Sequence, residues 1–140
     1  MAAEPDSIFV WPLRVYYEDT DAGGVVYHAQ YLKFLERART EWLRAHGIEQ
    51  NELAQAEGIV FVVTRVEISY LRPARFNDSL KVTVHLISRR IGRMRFEQNI
   101  VRTDASDEPL LAALVEVACV DRRRFRGRRI PEIILKKLGL

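Results

Sequence analysis

The stretch Ala29-Gln-Tyr-Leu-Lys-Phe-Leu-Glu-Arg-Ala-Arg-Thr-Glu-Trp-Leu-Arg-Ala-His46 repeats its apolar side chains at helical intervals: Tyr31, Phe34, Leu35, Ala38, Trp42 and Ala45. Lys33, Arg37, Glu41 and Arg44 take other positions. This spacing predicts an amphipathic α-helix of about four to five turns, with one apolar stripe that must be covered. Gly47 follows as a C′ residue that tolerates positive φ, and His46 lies in the last turn near the negative end of the dipole. Downstream the period changes to two, through Val60, Val62, Thr64, Val66, Ile68 and Tyr70, then Leu80, Val82, Val84 and Leu86, then Met94, Phe96, Gln98 and Ile100. Each set predicts a strand with one buried face.

The elements around these runs follow from local signals. Residues 9–17 contain Val10, Leu13, Val15 and Tyr17, and Pro12 marks that strand as an edge or a bulge. Residues 51–57, closed by Gly58, predict a short second helix. Gly92 within residues 89–93, and the polar run 103–109, predict hairpin connections leading to a last strand over residues 110–121. Pro131 suits the first turn of a terminal helix over residues 130–138. The order is strand, long helix, four strands. It predicts an α+β domain over residues 1–140, an antiparallel sheet of about five strands wrapped around the helix, with consecutive strands pairing as neighbours.

Composition narrows the function. A chain of 140 residues that is 48% hydrophobic has the size of one compact domain. Only residues 1–7 lack any periodicity. No apolar run approaches the ~20 residues of a bilayer span, and Glu4 and Asp6 stand where a signal peptide would be basic, so a cytoplasmic location is expected. The single Cys119 sits in an apolar run and reads as a buried structural thiol. Net charge is only +3, yet Arg122, Arg123, Arg124, Arg126, Arg128 and Arg129 crowd one short stretch, which suits either a polyanionic partner or a solvated tail.

The chemistry concentrates between the first strand and the helix, in Tyr17-Glu-Asp-Thr-Asp21-Ala-Gly-Gly-Val-Val-Tyr-His28. Asp19, Asp21 and Gly24 imitate part of a calcium loop, but Gly23 occupies a ligand position and Gln30 replaces the bidentate glutamate. His28, His46 and His85 form no metal-binding pair, and no nucleophile elbow occurs, so no metal or other cofactor is expected. Between Asp21 and Arg39 there is no Ser, Thr, Asp or Asn to cap the helix. Its first N–H groups, backed by the helix dipole, either take water or a distant side chain, or form a site for a developing oxyanion. Gly23 and Gly24 allow a close approach, or simply serve a tight turn.

The run from Tyr17 through His28 and on to Glu41, together with Val66-Glu-Ile-Ser-Tyr-Leu-Arg-Pro-Ala-Arg-Phe-Asn-Asp78, resembles the signature of the 4-hydroxybenzoyl-CoA thioesterase family, in its bacterial, Tol-Pal-associated type. The resemblance implies a hot-dog fold and hydrolysis of an acyl-CoA to a free acid and CoA. It implies that Asp21 is the essential carboxylate, as nucleophile or general base, and that the backbone N–H of His28 polarises the thioester carbonyl. Gly24, Val25 and Tyr27 are then expected to line the substrate. Arg89, Arg90 and Arg128 are expected to hold the CoA phosphates, by charge-assisted bonds. The family association also implies a homodimer or homotetramer with sites shared between subunits. An acyl carrier protein thioester, a membrane-surface contact and a noncatalytic acyl-CoA-binding module remain alternatives, and nucleic acid is not an expected partner. A dehydratase is disfavoured, since its helix-borne histidine and acidic motif are missing.

Overall fold

A computed structural model describes residues 7–104 and 106–140; apart from Ser7, the unperiodic first residues lie outside it. The elements are β1 (Phe9–Arg14), α1 (Gln30–Ala45), α2 (Gln50–Glu57), β2 (Ile59–Tyr70), β3 (Ser79–Arg90), β4 (Arg93–Arg102), β5 (Pro109–Asp121) and α3 (Glu132–Lys137). The strands form one antiparallel sheet in the order β1-β3-β4-β5-β2. Pro12 lies on the edge strand β1, where its missing N–H costs no ladder bond.

The buried stripe of α1 is Tyr31, Phe34, Leu35, Ala38, Trp42 and Leu43. Leu43 replaces the expected Ala45, which is exposed. Facing it are Leu80, Val82 and Val84, then Met94, Phe96 and Ile100, then Val115 and Val117. In β1 the inward residues are Phe9, Trp11 and Leu13, while Val10 points outward. Helix and sheet are tied by the fully buried Gln98, whose Nε2 donates to the Leu35 and Thr83 carbonyls while its Oε1 accepts from Arg39. The end of α1 forms a Schellman motif: Gly47, at φ 76°, donates to the Arg44 carbonyl and Ile48 donates to that of Leu43.

Two expectations change. Neighbour pairing holds for β3, β4 and β5 but not for β2 and β3, which lie apart in the sheet. The connection between them holds Pro73, which lacks a donor, and buries Ala74 fully. The Ala74 N–H donates to the Tyr31 hydroxyl, and the Asn77 N–H to the Val15 carbonyl. The segment therefore crosses beneath the start of α1 instead of making a hairpin.

The alternation in β2 is also not continuous. Val63 pairs with Val117 and Arg65 with Glu116, so Thr64 is an extra residue, and the strand changes phase there. Ile59 and Phe61 face the core before it, and Val66 and Ile68 after it.

The C-terminal segment closes one end of the core. The Arg128 N–H donates to the Cys119 carbonyl, Ile130 to that of Ile91, and α3 buries Ile134. A Cβ on Gly92 would stand 2.6 Å from the Arg128 carbonyl oxygen, whereas one on Gly127 would meet nothing within 4 Å. Gly92→Ala is therefore expected to cost about 1–3 kcal/mol, the usual penalty of overpacking, and Gly127→Ala much less. Denaturant midpoints of the two variants check this, and equal values would contradict it.

Candidate active site

The loop between β1 and α1 is organised by Asp19, which is 4% exposed. Its Oδ2 accepts the Tyr16 N–H at 2.8 Å and its Oδ1 accepts Gln30 Nε2 at 2.7 Å, while its carbonyl accepts the Tyr27 N–H at 2.9 Å. One residue thus holds the end of the first strand, the second limb of the loop and the first turn of α1. From the sequence Asp19 reads as a loop-shaping or solvated charge, and in the structure it shapes the loop. Its signal was a carboxylate placed before a helix whose first residue is a glutamine.

The chain then forms a narrow ladder. Thr20 bridges Val26, Val25 bridges Arg75, and the Asp21 N–H donates to the Val25 carbonyl. Asp21 stands exposed at the tip, with its Oδ1 accepting the Gly23 N–H at 2.8 Å. Both glycines now have physical reasons: Gly24 sits at φ 82°, and a Cβ on Gly23 would crowd Asp21 Oδ1 at 3.1 Å. Among the described residues Oδ2 of Asp21 has no hydrogen-bond partner, so one carboxylate oxygen is held and the other is free to act.

The first turn of α1 has no side-chain cap, and Ala29 stands at the N-cap. The His28 carbonyl accepts the Tyr70 hydroxyl at 2.8 Å, from the far end of β2. Because the peptide is trans, this fixes the Ala29 N–H on the opposite side. Among the described residues no group accepts from the His28 or Ala29 N–H. The Tyr27 and His28 rings lie 4.4 Å apart beside these donors, both exposed. Under the first turn, Tyr31 packs against Tyr70, and burial pushes its hydroxyl pKa up.

Along the seam between α1 and β2 runs a cleft of about 110 Å³, whose walls include Arg39, Trp42, Phe61, Val63, Met94 and Phe96. Glu36 and Arg39 are its charged elements; burial lowers the Arg39 pKa against the opposing pull of Glu36, and among the described residues its hydrogen-bond partner is the neutral Gln98 oxygen. Cys119 is buried, and burial raises its thiol pKa, the state of an inert core thiol.

The structure brings Asp21, Gly24, Val25, Tyr27 and His28 into one loop and places the arginines elsewhere. Arg89 and Arg90 end β3, which starts beside the Asp21 turn, and a strand of that length carries them roughly 30–40 Å away. Arg128 lies at that same far end, with its Nη1 donating to the Glu57 carbonyl at 2.7 Å. Arg122 likewise donates to the Ala54 carbonyl at 3.2 Å, so both cap the C-terminus of α2.

A profile of the Thioesterase-like superfamily matches residues 15–138. The acyl-CoA thioester hydrolase YbgC of Escherichia coli O6:H1 is 46% identical over 129 residues, which are 92% of this chain and 94% of that protein. The acyl-CoA thioesterase YbgC of Haemophilus influenzae is 42% identical over 127 residues, covering 91% of each. A probable thioesterase from Bartonella henselae superposes with a TM-score of 0.83 at 37% identity, over 89% of this chain and 100% of that one. The sheet curled around α1 is the hot-dog fold of these enzymes. With the match spanning both the Asp21 turn and the uncapped start of α1, the chain belongs to the Thioesterase-like superfamily.

Proposed function

We propose that the protein hydrolyses acyl-CoA thioesters, with Asp21 as the reacting carboxylate and the start of α1 as the oxyanion site. The observation that carries this is the uncapped first turn of α1, whose orientation Tyr70 fixes from β2. Preorganised N–H donors at a helix start stabilise the negative oxygen that forms when a thioester carbonyl is attacked. Asp21 supplies either the attacking oxygen or the base that deprotonates water. The His28 ring, with Tyr27, Val25 and Gly24, borders the reacting group, and the α1–β2 cleft takes the acyl chain. The same reading includes the Tol-Pal-associated type, and extends to a carrier-protein thioester as an alternative substrate.

The active unit in this proposal is a homodimer, alone or within a tetramer. Along the loop ladder, Asp21 and the His28 N–H of one chain stand roughly 10 Å apart, too far to serve one carbonyl together. The outer edge of β2 carries no strand, leaving its backbone groups free to pair. Antiparallel β2 pairing of two copies reverses one chain against the other. It brings the arginine-bearing end of one subunit toward the Asp21 end of its partner, where Arg89, Arg90 and Arg128 reach the CoA phosphates.

Asp21→Asn keeps the size of the side chain and removes its charge, so turnover on acyl-CoA is expected to fall by at least about 10²-fold. Thiol release by the folded variant measures it, and near-wild-type rates would reject the mechanism.

Tyr70→Phe removes only the hydroxyl that orients the His28 peptide. A fall of about tenfold in kcat with KM little changed is expected, because the loss is felt in the transition state. A variant altered only in KM would place Tyr70 in substrate binding instead.

If Arg89, Arg90 and Arg128 read the nucleotide, acyl-dephospho-CoA should show a raised KM, and substituting these arginines should erase the difference. Identical KM values for both substrates at every salt concentration would exclude the phosphate contact.

A further inference from the structure

The loop after β5 contains a feature that hydrolysis does not use. Asp121 closes it tightly: its Oδ1 accepts the N–H groups of Arg123 and Arg124, its carbonyl accepts that of Phe125, and its own N–H donates to the Arg126 carbonyl. At the tip Phe125 adopts φ 56°, a region unfavourable for a bulky side chain, and the residue is 64% exposed. Glycine or asparagine would hold such a turn without strain. The phenylalanine therefore adds little to the fold, and its use lies outside the chain.

A second apolar tip stands at the same end of the molecule. Ile91, at the β3–β4 hairpin, is 68% exposed, and its carbonyl accepts the Ile130 N–H just beyond the arginine-rich loop. Around the two tips are Arg123, Arg124, Arg126 and Arg129, all exposed, whose guanidinium groups make no hydrogen bond or ion pair among the described residues. Arg122 and Arg128 are the exceptions, being held on α2.

We infer that this end docks on an anionic lipid bilayer surface, with Phe125 and Ile91 entering the interfacial layer and Arg123, Arg124 and Arg126 pairing with headgroup phosphates. Charge complementarity accounts for the arginines, and isolated apolar side chains projecting beyond a cationic surface match the amphipathic profile of the bilayer interface. A soluble polyanion would pair with the arginines, and a nucleic acid could also stack on Phe125, but neither gains from the aliphatic tip at Ile91, which the interfacial layer takes up. The inference is independent of the thioesterase mechanism.

The test is sedimentation of the full-length protein with phosphatidylcholine vesicles, with and without phosphatidylglycerol. Wild type is expected to partition about tenfold more strongly onto the phosphatidylglycerol vesicles. Ile91→Ser combined with Phe125→Ser is expected to lower that partition about tenfold, with thermal midpoint and acyl-CoA turnover unchanged. Arg123→Gln, Arg124→Gln and Arg126→Gln together are expected to remove the preference for anionic vesicles. Saturating CoA should leave wild-type binding in place, since these three arginines lie outside the proposed nucleotide contacts. Equal partition of wild type onto both vesicles would overturn the inference, as would undiminished binding by the Ile91→Ser/Phe125→Ser protein. So would displacement by CoA, which would assign the cluster to the nucleotide.

Discussion

A single buried carboxylate holds the candidate site together. Asp19 gathers the Tyr16 N–H, the Gln30 amide and, through its carbonyl, the Tyr27 N–H, so both limbs of the loop are locked to the first turn of α1. Its two side-chain oxygens are both occupied, which is what makes a buried carboxylate tolerable. Everything chemical is suspended from that point. The Asp21 turn projects from the ladder that Asp19 anchors, and the free donors of α1 start just beyond it. An amide at position 19 would present an N–H where one donor already points, and would loosen the loop without touching a reacting atom.

Most of the fold was legible because its signals are periodic. The α1 stripe, the inward faces of β3 and β4 and the glycine stops of both helices follow directly from spacing, and even the polar Gln98 falls on a buried position because the alternation puts it there. Periodicity conveys nothing about a single inserted residue, so the Thr64 bulge and the change of face it causes were invisible. Pairing order was equally hidden between β2 and β3, because a segment such as 71–78 looks alike whether it turns back or crosses over. Only its contacts, Ala74 under Tyr31 and Asn77 on Val15, distinguish the two.

The site was legible in outline. A helix lacking any local capping residue, preceded by a glycine pair and a carboxylate, can be seen in the letters alone, and the structure gives α1 no side-chain cap. What could not be seen were partners distant in sequence, Tyr70 on the His28 carbonyl above all. The arginines illustrate the opposite limit. As letters they form one cluster, yet in space they divide into Arg122 and Arg128, each with one Nη1 donating to a carbonyl of α2, and a remainder whose guanidinium groups face solvent.

The Thr64 bulge sets a rule for how this sequence can change. Strand residues alternate between two faces, and the single extra residue resets that parity between Phe61, on the cleft, and Tyr70, at the helix start. Insertions or deletions in β2 are therefore governed by arithmetic modulo two. A loss of one residue between these positions would turn Tyr70 outward while leaving composition and hydrophobicity almost unaltered, whereas a loss of two would shorten the strand but keep the tyrosine facing inward. In an alignment of relatives, a gap of odd length here would mark chains that orient the start of α1 by some other group.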